Sequence, residues 1–323
     1  MTSNSSTRTR LSGSIAALTR TLPDMRGLGR LYLTANQLLL KLGVEPIAAA
    51  RMQDGTTMLV DLRSQTEVHA FYRGVYDPLL LNAIKALLSP ADLFLDIGAN
   101  VGFYTVAIAA HLRSLGGAGM VVSFEPLQAN HSRLSANLTR NQLESLVTTF
   151  QLGLSSRSDR LQIMLREDFA AGSSTGNASI STGNTVFERD FPSETIRVEP
   201  LDAIWPDLKA SLSGRRLSLI KMDIEGHEDL CLSGATHTLA AERPIVLMEI
   251  NKPYYNARCV DVVQRFQPPL LPVGYRIVRH HAGAWTSIPD MGPCSELDNV
   301  FLVPEEKISF FERCLAPIRL SGG

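Results

Sequence analysis

An apolar strand that ends in an acid and a glycine turn, at residues 93–102, most strongly constrains what this chain can fold into. The apolar residues around Asp96 predict a buried strand, and the Ala-rich residues 103–112 predict a helix. Gly98 allows a sharp turn between them, and Gly102 allows the backbone to pass close to a ligand or to the strand. A strand, a glycine turn and a helix form the opening of a nucleotide-binding βαβ unit.

The glycine spacing alone does not identify a ligand. Gly98 and Gly102 form G-x-x-x-G instead of the dinucleotide pattern G-x-G-x-x-G. A membrane helix with a dimerisation face is disfavoured, because Asp96, Asn100 and His111 interrupt the apolar run. An ordinary strand–turn–helix of any α/β protein remains as the alternative.

The next predicted strand, residues 120–124, also runs into an acid. Glu125 lies 23 residues after Gly102, where a carboxylate typically accepts hydrogen bonds from both ribose hydroxyls of a nucleotide. A carboxylate at this place would repel a 2′-phosphate, so an NADP-type ligand is disfavoured. The two strands together predict a ligand that carries an unphosphorylated ribose.

Composition limits the class of protein. The chain has 323 residues, 45% of them hydrophobic, and a net charge of −1, so it can bury a large core and has no bulk attraction to nucleic acid. Its four cysteines show no C-x-x-C spacing and are typical of reduced thiols. Neither a secretory signal nor an apolar run of membrane-spanning length is evident. We therefore expect a cytoplasmic protein without a membrane span.

Two regions are predicted along the chain. Residues 1–45 are expected to form an extension, mobile to about residue 24 and helical over residues 25–42, before a main domain at residues 46–323. Packing of this helix on the core or on a partner subunit is favoured over binding to a membrane surface. A homo-oligomer formed through the N-terminal helix is therefore one expectation.

Two further segments of the main domain are expected to lie near a substrate. Residues 66–76 form a polar and aromatic cluster, which predicts either a lid over the site or a helix with a solvated face. Residues 170–185 are rich in Gly, Ser, Thr and Asn and predict a loop that contacts the substrate.

Strands and helices alternate through the main domain, which predicts a doubly wound α/β fold. Near the end, residues 275–279 and 299–303 predict an antiparallel pair at the end of an otherwise parallel sheet. Acids follow four predicted strands and should meet at one edge of the sheet, outside the carboxyl ends of the strands. These acids are Asp96, Glu125, Asp223 and Glu249. The alternative is that each acid caps the helix after it.

The acids that follow the predicted strand at residues 217–222 are the candidate catalytic groups. Asp223 and Glu225 have i, i+2 spacing, so on a continuing strand they would face the same side. Neighbouring carboxylates can bind a hard cation such as Mg²⁺, or can raise one another's pKa and leave one of them as a general base. His227 is a further candidate base, ranked below Asp223 because a histidine in a turn is more often a surface or capping group.

The chain resembles the FkbM-type S-adenosylmethionine-dependent methyltransferases over residues 55–303. The similar segments are, in order, residues 71–78 (FYRGVYDP), 95–105 (LDIGANVGFYT), 124–126 (FEP), 198–202 (VEPLD), 220–228 (IKMDIEGHE) and 243–249 (RPIVLME). Each segment alone is common, whereas their combination in this order is specific to the family.

The resemblance implies a class I methyltransferase fold, a Rossmann-like sheet of seven strands with the last one antiparallel. It implies S-adenosyl-L-methionine as the cofactor and O-methylation of a small-molecule or glycan acceptor such as a sugar or natural product. The implied cofactor contacts are Asp96, Gly98, Asn100, Gly102, Tyr104, Glu125, Pro126 and Gly153. An Asp that such enzymes often place near the adenine, after the third strand, is missing from residues 151–155, so the adenine contact stays unassigned.

Methyl transfer to a hydroxyl mainly requires alignment of the acceptor oxygen and removal of its proton. Asp223 is the first choice for the base, with Glu225 and Glu249 as its partners or as ligands of Mg²⁺. Three rival functions stay open. They are an N-methyltransferase acting on protein or nucleic acid, faintly indicated by residues 251–254 (NKPY), an NAD-dependent dehydrogenase, and a non-catalytic nucleotide-binding module.

Overall fold

The structure is a computed structural model that describes residues 16–20, 28–165, 178–181, 191–213 and 215–318. The strands are β1 (Ile47–Arg51), β2 (Thr57–Asp61), β3 (Leu93–Ile97), β4 (Met120–Phe124), β5 (Val147–Phe150), β6 (Gly153–Leu154), β7 (Asp159–Leu165), β8 (Ala178–Ile180), β9 (Ser193–Glu199), β10 (Leu217–Met222), β11 (Ile245–Asn251), β12 (Tyr275–His281), β13 (Ala284–Ile288) and β14 (Leu297–Pro304). The helices are α1 (Leu28–Lys41), α2 (Gln65–Arg73), α3 (Pro78–Leu87), α4 (Phe103–Ser114), α5 (Gln128–Asn141), α6 (Leu201–Ser211), α7 (Glu228–Ser233), α8 (Thr236–Glu242), α9 (Lys252–Ala257), α10 (Val262–Arg265) and α11 (Ile308–Leu315).

The central sheet has eight strands in the order β13-β12-β14-β11-β10-β3-β4-β5. Strands β5, β4, β3, β10 and β11 are parallel, and β14 runs antiparallel between β11 and β12. This is the doubly wound, mostly parallel fold that the sequence predicts, with one strand more than the expected seven. The additional strand β13 forms where we expected only a connection, and its Trp285 packs on Phe301 and Phe311.

The register of the parallel strands aligns their ends. Ile97 of β3 pairs with Phe124 of β4 and with Met222 of β10, and Met222 pairs with Met248 of β11. The residue that follows each of these positions therefore lies at one edge of the sheet. These following residues are Gly98, Glu125, Asp223 and Glu249. Three of the four predicted strand-end acids thus meet at this edge, as the sequence indicates.

Both faces of the sheet are covered by helices. Phe94 belongs to one hydrophobic cluster, whereas its neighbours Leu93 and Leu95 belong to the other, because successive side chains of a strand point to opposite faces. The first cluster also contains Tyr32 and Leu39 of α1, so the N-terminal helix packs on the main domain. In the described ranges no helix is long and apolar enough to cross a membrane.

Residues 16–20 differ from the expectation of a mobile segment up to residue 24. They form a helical turn in which Ala16 and Thr19 are buried, and Thr19 Oγ1 donates a hydrogen bond of 2.7 Å to the carbonyl oxygen of Tyr72. Residues 1–15 and 21–27 lie outside the described residues.

A smaller four-stranded sheet, in the order β6-β9-β7-β8, follows β5 in the chain. Its strand β8 falls within residues 170–185, which the sequence predicts as a loop, and the remainder of that segment apart from Ser181 lies outside the described residues.

One predicted helix over residues 229–240 is instead two, α7 and α8, which are separated at Gly234. A Cβ at Gly234 would lie 2.0 Å from the carbonyl oxygen of Ser155, so this close approach requires glycine.

Candidate active site

A cavity of about 380 Å³ opens at the carboxyl ends of β3, β4, β10 and β11. Its size lies in the usual range for a small-molecule site. One side is formed by the glycine turn after β3 and by Glu125, and another by the acids after β10 and β11. The sequence-predicted site residues in its wall are Gly98, Asn100, Tyr104, Glu125, Pro126, Gly153, Asp223, Glu225, His227 and Glu249.

The glycine turn is pressed against the segment that follows β10. Gly98 has φ of +77°, and a Cβ built on it would lie 2.0 Å from the carbonyl oxygen of Asp223. The N–H groups of Gly98 and Ala99 both donate to the carbonyl oxygen of Phe124 at 3.0 Å. Only glycine combines this backbone conformation with so close an approach, so the turn connects the β3–β4 side of the cavity to the β10 side.

Glu125 is held in place by the backbone. Its Oε2 accepts the N–H of Asn100 at 2.8 Å and its Oε1 accepts the N–H of Leu127 at 3.0 Å. Burial raises the pKa of Glu125 to about 7, although these backbone hydrogen bonds favour the charged form. Each carboxylate oxygen keeps acceptor capacity for a ligand in the cavity.

Asp96 lies behind the cavity wall, which corrects the expectation of a direct cofactor contact. It is fully buried, its Oδ2 accepts the hydroxyl of Thr105 at 2.6 Å, and its Oδ1 lies 3.6 Å from Lys221 Nζ. The reason is that Asp96 lies inside β3, on the same face as Phe94, which packs under α4. Asp96 therefore contacts Lys221, which lines the cavity.

Gly102 also stays outside the cavity wall. It has φ of +94°, and a Cβ there would lie 2.4 Å from Cδ1 of Leu134 in α5. The sequence predicts that Gly102 allows the backbone to pass close to a ligand or to the strand. The structure shows neither of these close approaches. This glycine allows α4 and α5 to pack closely.

Aromatic side chains form the wall near α2 and α4. Tyr76 stacks on Phe103 with ring centroids 4.2 Å apart, and both line the cavity. The hydroxyl of Tyr104 donates to Asp77 Oδ2 at 2.5 Å. Tyr72, in contrast, is fully buried and stacks on Tyr32. Of the aromatic residues in the predicted cluster at residues 66–76, only Tyr76 thus lines the cavity.

Three carboxylates meet at the opposite side of the cavity. One oxygen from each of Asp223, Glu225 and Glu249 lies within 4.8 Å of the others, and each of the three residues is partly exposed. Asn251 Nδ2 donates to Glu225 Oε2 at 3.2 Å. The three carboxylates converge as the sequence predicts, but Asp223 and Glu225 do not lie on a continuing strand, which was the expected reason. Strand β10 ends at Met222, and Glu225 reaches the cluster through a left-handed backbone conformation with φ of +55°.

A single ammonium group lies between the buried and the exposed acids. Lys221 Nζ is 3.3 Å from Asp223 Oδ2, 3.6 Å from Asp96 Oδ1 and 5.1 Å from the centre of the Tyr104 ring. Burial alone would lower the pKa of Lys221, but Asp223 and Asp96 raise it above its usual value. Lys221 is therefore a charged lysine that neutralises part of the acid cluster.

The pKa of Glu249 lies well above its usual value. Burial, followed by the charges of Asp223 and Glu225, raises the pKa of Glu249 to about 10. Its Oε2 is buried and has no hydrogen-bond partner among the described residues. At neutral pH the Glu249 carboxyl group is therefore protonated.

His227 is buried and neutral. Burial, followed by the charge of Arg258, lowers the pKa of His227 to about 4, and its Nε2 lies 2.9 Å from Ser155 Oγ. His227 also lines a second cavity of about 260 Å³, which shares Ile180, Glu225 and His227 with the first. His227 thus lies between the two cavities and lines both.

Sequence reasoning missed two supporting residues. Glu228 is fully buried, and its Oε1 accepts the N–H groups of Ile224 at 2.9 Å and Gly226 at 3.3 Å. Its Oε2 accepts the hydroxyl of Tyr255 at 2.6 Å, so Glu228 fixes the segment that carries the cluster. Asn130 lines the cavity beside Glu125. Glu228 is the last residue of the similar segment 220–228, whereas the signal for Asn130 is its position just after the strand that ends before Glu125.

The family comparison agrees with this geometry. A family model described as the methyltransferase FkbM domain matches residues 96–277, which is more than half of the chain. The chain therefore belongs to the FkbM methyltransferase domain family. A search of curated proteins finds no match to this chain.

Several solved structures are also similar to this chain. Methyltransferase FkbM from Methylobacillus flagellatus KT has 18% identity and a TM-score of 0.39, covering 93% of this chain and 58% of that protein. This chain thus spans less than two thirds of that relative. P. horikoshii TYW2 in complex with MeSAdo has 13% identity and a TM-score of 0.37, and the match covers 87% of this chain and 85% of that protein. Cofactor-bound Rv0187 from MTB has 12% identity and a TM-score of 0.39, and the match covers 72% of this chain and 82% of that protein.

Proposed function

We propose that this chain is an S-adenosylmethionine-dependent methyltransferase that methylates a hydroxyl group of a sugar, glycan or natural product. One observation carries the proposal. A single cavity of about 380 Å³ joins the glycine turn and Glu125 on one side to the cluster of Asp223, Glu225 and Glu249 on the other. One side suits a nucleoside, and the other suits proton removal.

The charge of the cavity fits a cationic cofactor. Its wall carries five acidic residues, Glu67, Glu125, Asp223, Glu225 and Glu249, and one ammonium group, that of Lys221. Because Glu249 is neutral at pH 7, the negative charge comes from the other four acids. Since Arg133 pairs with Glu67 from outside the wall, the excess of acid lies at the sheet edge. When bound, S-adenosylmethionine supplies a methyl group activated by a positively charged sulfur. The donor set therefore favours this cofactor over NAD, whose pyrophosphate would meet acids.

Glu125 is the proposed ribose contact. Its carboxylate is fixed by the N–H groups of Asn100 and Leu127, so it can accept ribose hydroxyls without first being ordered. The wall positions of Gly98, Asn100, Tyr104, Pro126 and Gly153 are consistent with further cofactor contacts. Asp96 and Gly102 would act indirectly, through Lys221 and through the packing of α4 on α5. The buried side chain of Asn130 next to Glu125 is a candidate for the adenine contact that the sequence left unassigned.

Asp223 is the proposed general base. Its carboxylate lines the cavity, with 34% of the side chain exposed, and the proton of the acceptor hydroxyl would pass to one of its oxygens as the oxygen–methyl bond forms. Lys221 lies 3.3 Å from Asp223 Oδ2 and orients this carboxylate. Glu249 is already protonated at neutral pH and His227 faces Ser155, so neither competes for this role.

The acid cluster also leaves a place for Mg²⁺. Asp223, Glu225 and Glu249 offer the carboxylate oxygens that this cation prefers, and it would bring the acceptor hydroxyl and Asp223 together. We favour the base without a metal, because the ammonium of Lys221 already supplies a positive charge at Asp223. Removal of divalent cations by EDTA should then leave turnover unchanged.

The second cavity is the proposed place of the acceptor's distal part. It shares Glu225 and His227 with the first cavity, and its wall includes Ser155, Tyr254 and Arg258. Hydroxyl, phenol and guanidinium groups suit a polyhydroxylated acceptor that extends away from the reacting oxygen. These three polar groups favour a sugar or glycan over a purely apolar molecule.

The test is methyl transfer from isotope-labelled S-adenosylmethionine to a panel of nucleotide sugars, glycosides and polyhydroxylated natural products, with amine analogues in parallel. We expect the label on oxygen in at least one hydroxyl acceptor, and we expect Asp223→Asn to abolish it. Transfer to amines alone would establish the N-methyltransferase alternative. No affinity for S-adenosylmethionine would favour a non-catalytic module.

A further inference from the structure

Helix α1 exposes a row of leucines to solvent. Leu31, Leu38 and Leu42 are 67%, 58% and 50% exposed. Leu31 and Leu38 are seven residues apart, and Leu42 follows Leu38 by four, so the three side chains lie on one face. Leu42 is the first residue after the end of the helix. Five of the eight large hydrophobic residues that are exposed in the described part of the chain fall within residues 18–47, so apolar exposure is concentrated at this end. We call Leu31, Leu38 and Leu42 the leucine face.

The opposite face of α1 fixes how the helix is oriented. Tyr32, Asn36 and Leu39 are buried. The Tyr32 ring stacks on Tyr72 with centroids 5.1 Å apart, and Asn36 Nδ2 donates to the carbonyl oxygen of Leu62 at 2.7 Å. Because these polar and aromatic contacts occupy the inner face, the leucine face must point away from the domain.

The charge around the leucine face is positive. Arg30 and Lys41 are exposed on α1, and the helix contains no acidic residue. Residues 1–51 contain seven Lys and Arg against two Asp and Glu, a net charge of +5. The remaining residues contain 24 basic against 30 acidic residues, a net charge of −6. The N-terminal part of the sequence is thus basic, and on α1 itself the leucine face is flanked by the cations Arg30 and Lys41.

We propose that the leucine face of α1 docks on an anionic membrane surface. Leucines that enter the boundary between headgroups and acyl chains, flanked by basic side chains that contact anionic headgroups, are the physical basis of interfacial helix binding. Electrostatic repulsion disfavours the alternative that a second copy of this chain covers the leucine face. An antiparallel pairing of two leucine faces would bring the like charges of Arg30 and Lys41 together.

This docking would bring the cavity close to the membrane. Helix α1 packs on α2 through Tyr32 and Tyr72, and Thr66 and Glu67 of α2 line the cavity. The rim of the cavity is therefore one helix away from the docked face. The inference does not depend on the proposed methyl transfer, since it concerns a surface outside the cavity.

The test is flotation of the full chain with lipid vesicles. We expect the chain to bind vesicles of phosphatidylcholine mixed with phosphatidylglycerol, to bind phosphatidylcholine alone much more weakly, and to lose binding as salt is raised. The double variant Leu31→Ser, Leu38→Ser should lower the partition coefficient at least about tenfold, because two apolar side chains no longer leave water.

A matched control separates the leucine face from general surface hydrophobicity. Val273 is 82% exposed elsewhere on the protein, so Val273→Ser should leave binding unchanged. All these positions are exposed, and equal thermal unfolding of the variants checks that each one folds. No binding of the natural chain to the anionic vesicles, or equal binding by the double Leu variant, would overturn the proposal. A dimer in sedimentation experiments that the double variant converts to a monomer would also overturn it, since a second copy would then cover the face.

Discussion

Glu125 and Asp223 follow equivalent strand ends of the same cavity, but their surroundings differ. Glu125 is buried, and backbone N–H groups of Asn100 and Leu127 hold both of its oxygens. Asp223 is partly exposed and lies among Glu225, Glu249 and the ammonium of Lys221. Fixed donors hold a carboxylate ready for a ligand that it binds unchanged, whereas crowded ionisable side chains suit a group that must gain and lose a proton.

The largest effect is expected at Asp223. Asp223→Asn keeps the shape of the side chain but removes the base, so turnover should fall about 10²–10⁴-fold at saturating cofactor. Affinity for S-adenosylhomocysteine should stay within about twofold, because the substitution leaves Glu125 and its backbone donors in place. Steady-state kinetics and calorimetry measure the two quantities. Equal losses of affinity and turnover would show that the two sides of the cavity do not have separate roles.

The glycine turn ties the two sides together, so Gly98→Ala should damage both. The added Cβ would lie 2.0 Å from the carbonyl oxygen of Asp223, and we expect a loss of about 3 kcal/mol or more in the free energy of unfolding. Gly55→Ala is the matched control. Gly55 also has a positive φ, +88°, but no atom lies within 4 Å of its Cβ position, so it should cost only about 1–2 kcal/mol. Denaturant unfolding of both variants that gave equal losses would refute the steric argument.

A smaller effect is expected in the pH dependence of cofactor binding. The pKa of Glu125 is raised to about 7 by burial, and ribose hydroxyls should favour its charged form. Affinity for S-adenosylhomocysteine should therefore rise about tenfold between about pH 6 and pH 8. Glu125→Gln should bind more weakly and lose this dependence. A dependence that persists in the variant would assign it to another group.

The smallest effect is expected at Glu249. Its pKa is raised to about 10, so the side chain is neutral at pH 7 and Glu249→Gln replaces it with a group of the same shape and charge. Turnover should stay within about threefold of the natural chain. A large loss that excess Mg²⁺ restores would instead indicate that the three acids hold a cation.

The sheet edge could be predicted because strand ends depend on local sequence. Apolar runs that end in Glu125, Asp223 and Glu249 predict three parallel strands, and parallel strands align their carboxyl ends. The eighth strand could not be predicted in this way. Its Trp285 is held by Phe301 and Phe311, which are distant in the sequence, so β13 depends on tertiary packing.

The roles of individual acids were harder to predict than their positions. Asp96 looks like a strand-end ligand in the sequence, but its i, i+2 spacing from Phe94 places it on the face that packs under α4. Glu228 resembles an ordinary helix-capping acid, yet it accepts hydrogen bonds from Ile224, Gly226 and Tyr255. Such contacts depend on how the loops close, which sequence spacing does not specify.

The most direct test of the account is calorimetric titration of S-adenosylhomocysteine into the natural chain, Glu125→Ala and Asp223→Asn, with NAD in parallel. The account predicts binding to the natural chain and to Asp223→Asn with similar affinity, a loss of about tenfold or more in Glu125→Ala, and weaker binding of NAD. Tighter binding of NAD, or equal affinity in Glu125→Ala and the natural chain, would contradict the division of the cavity into a cofactor side and a reacting side.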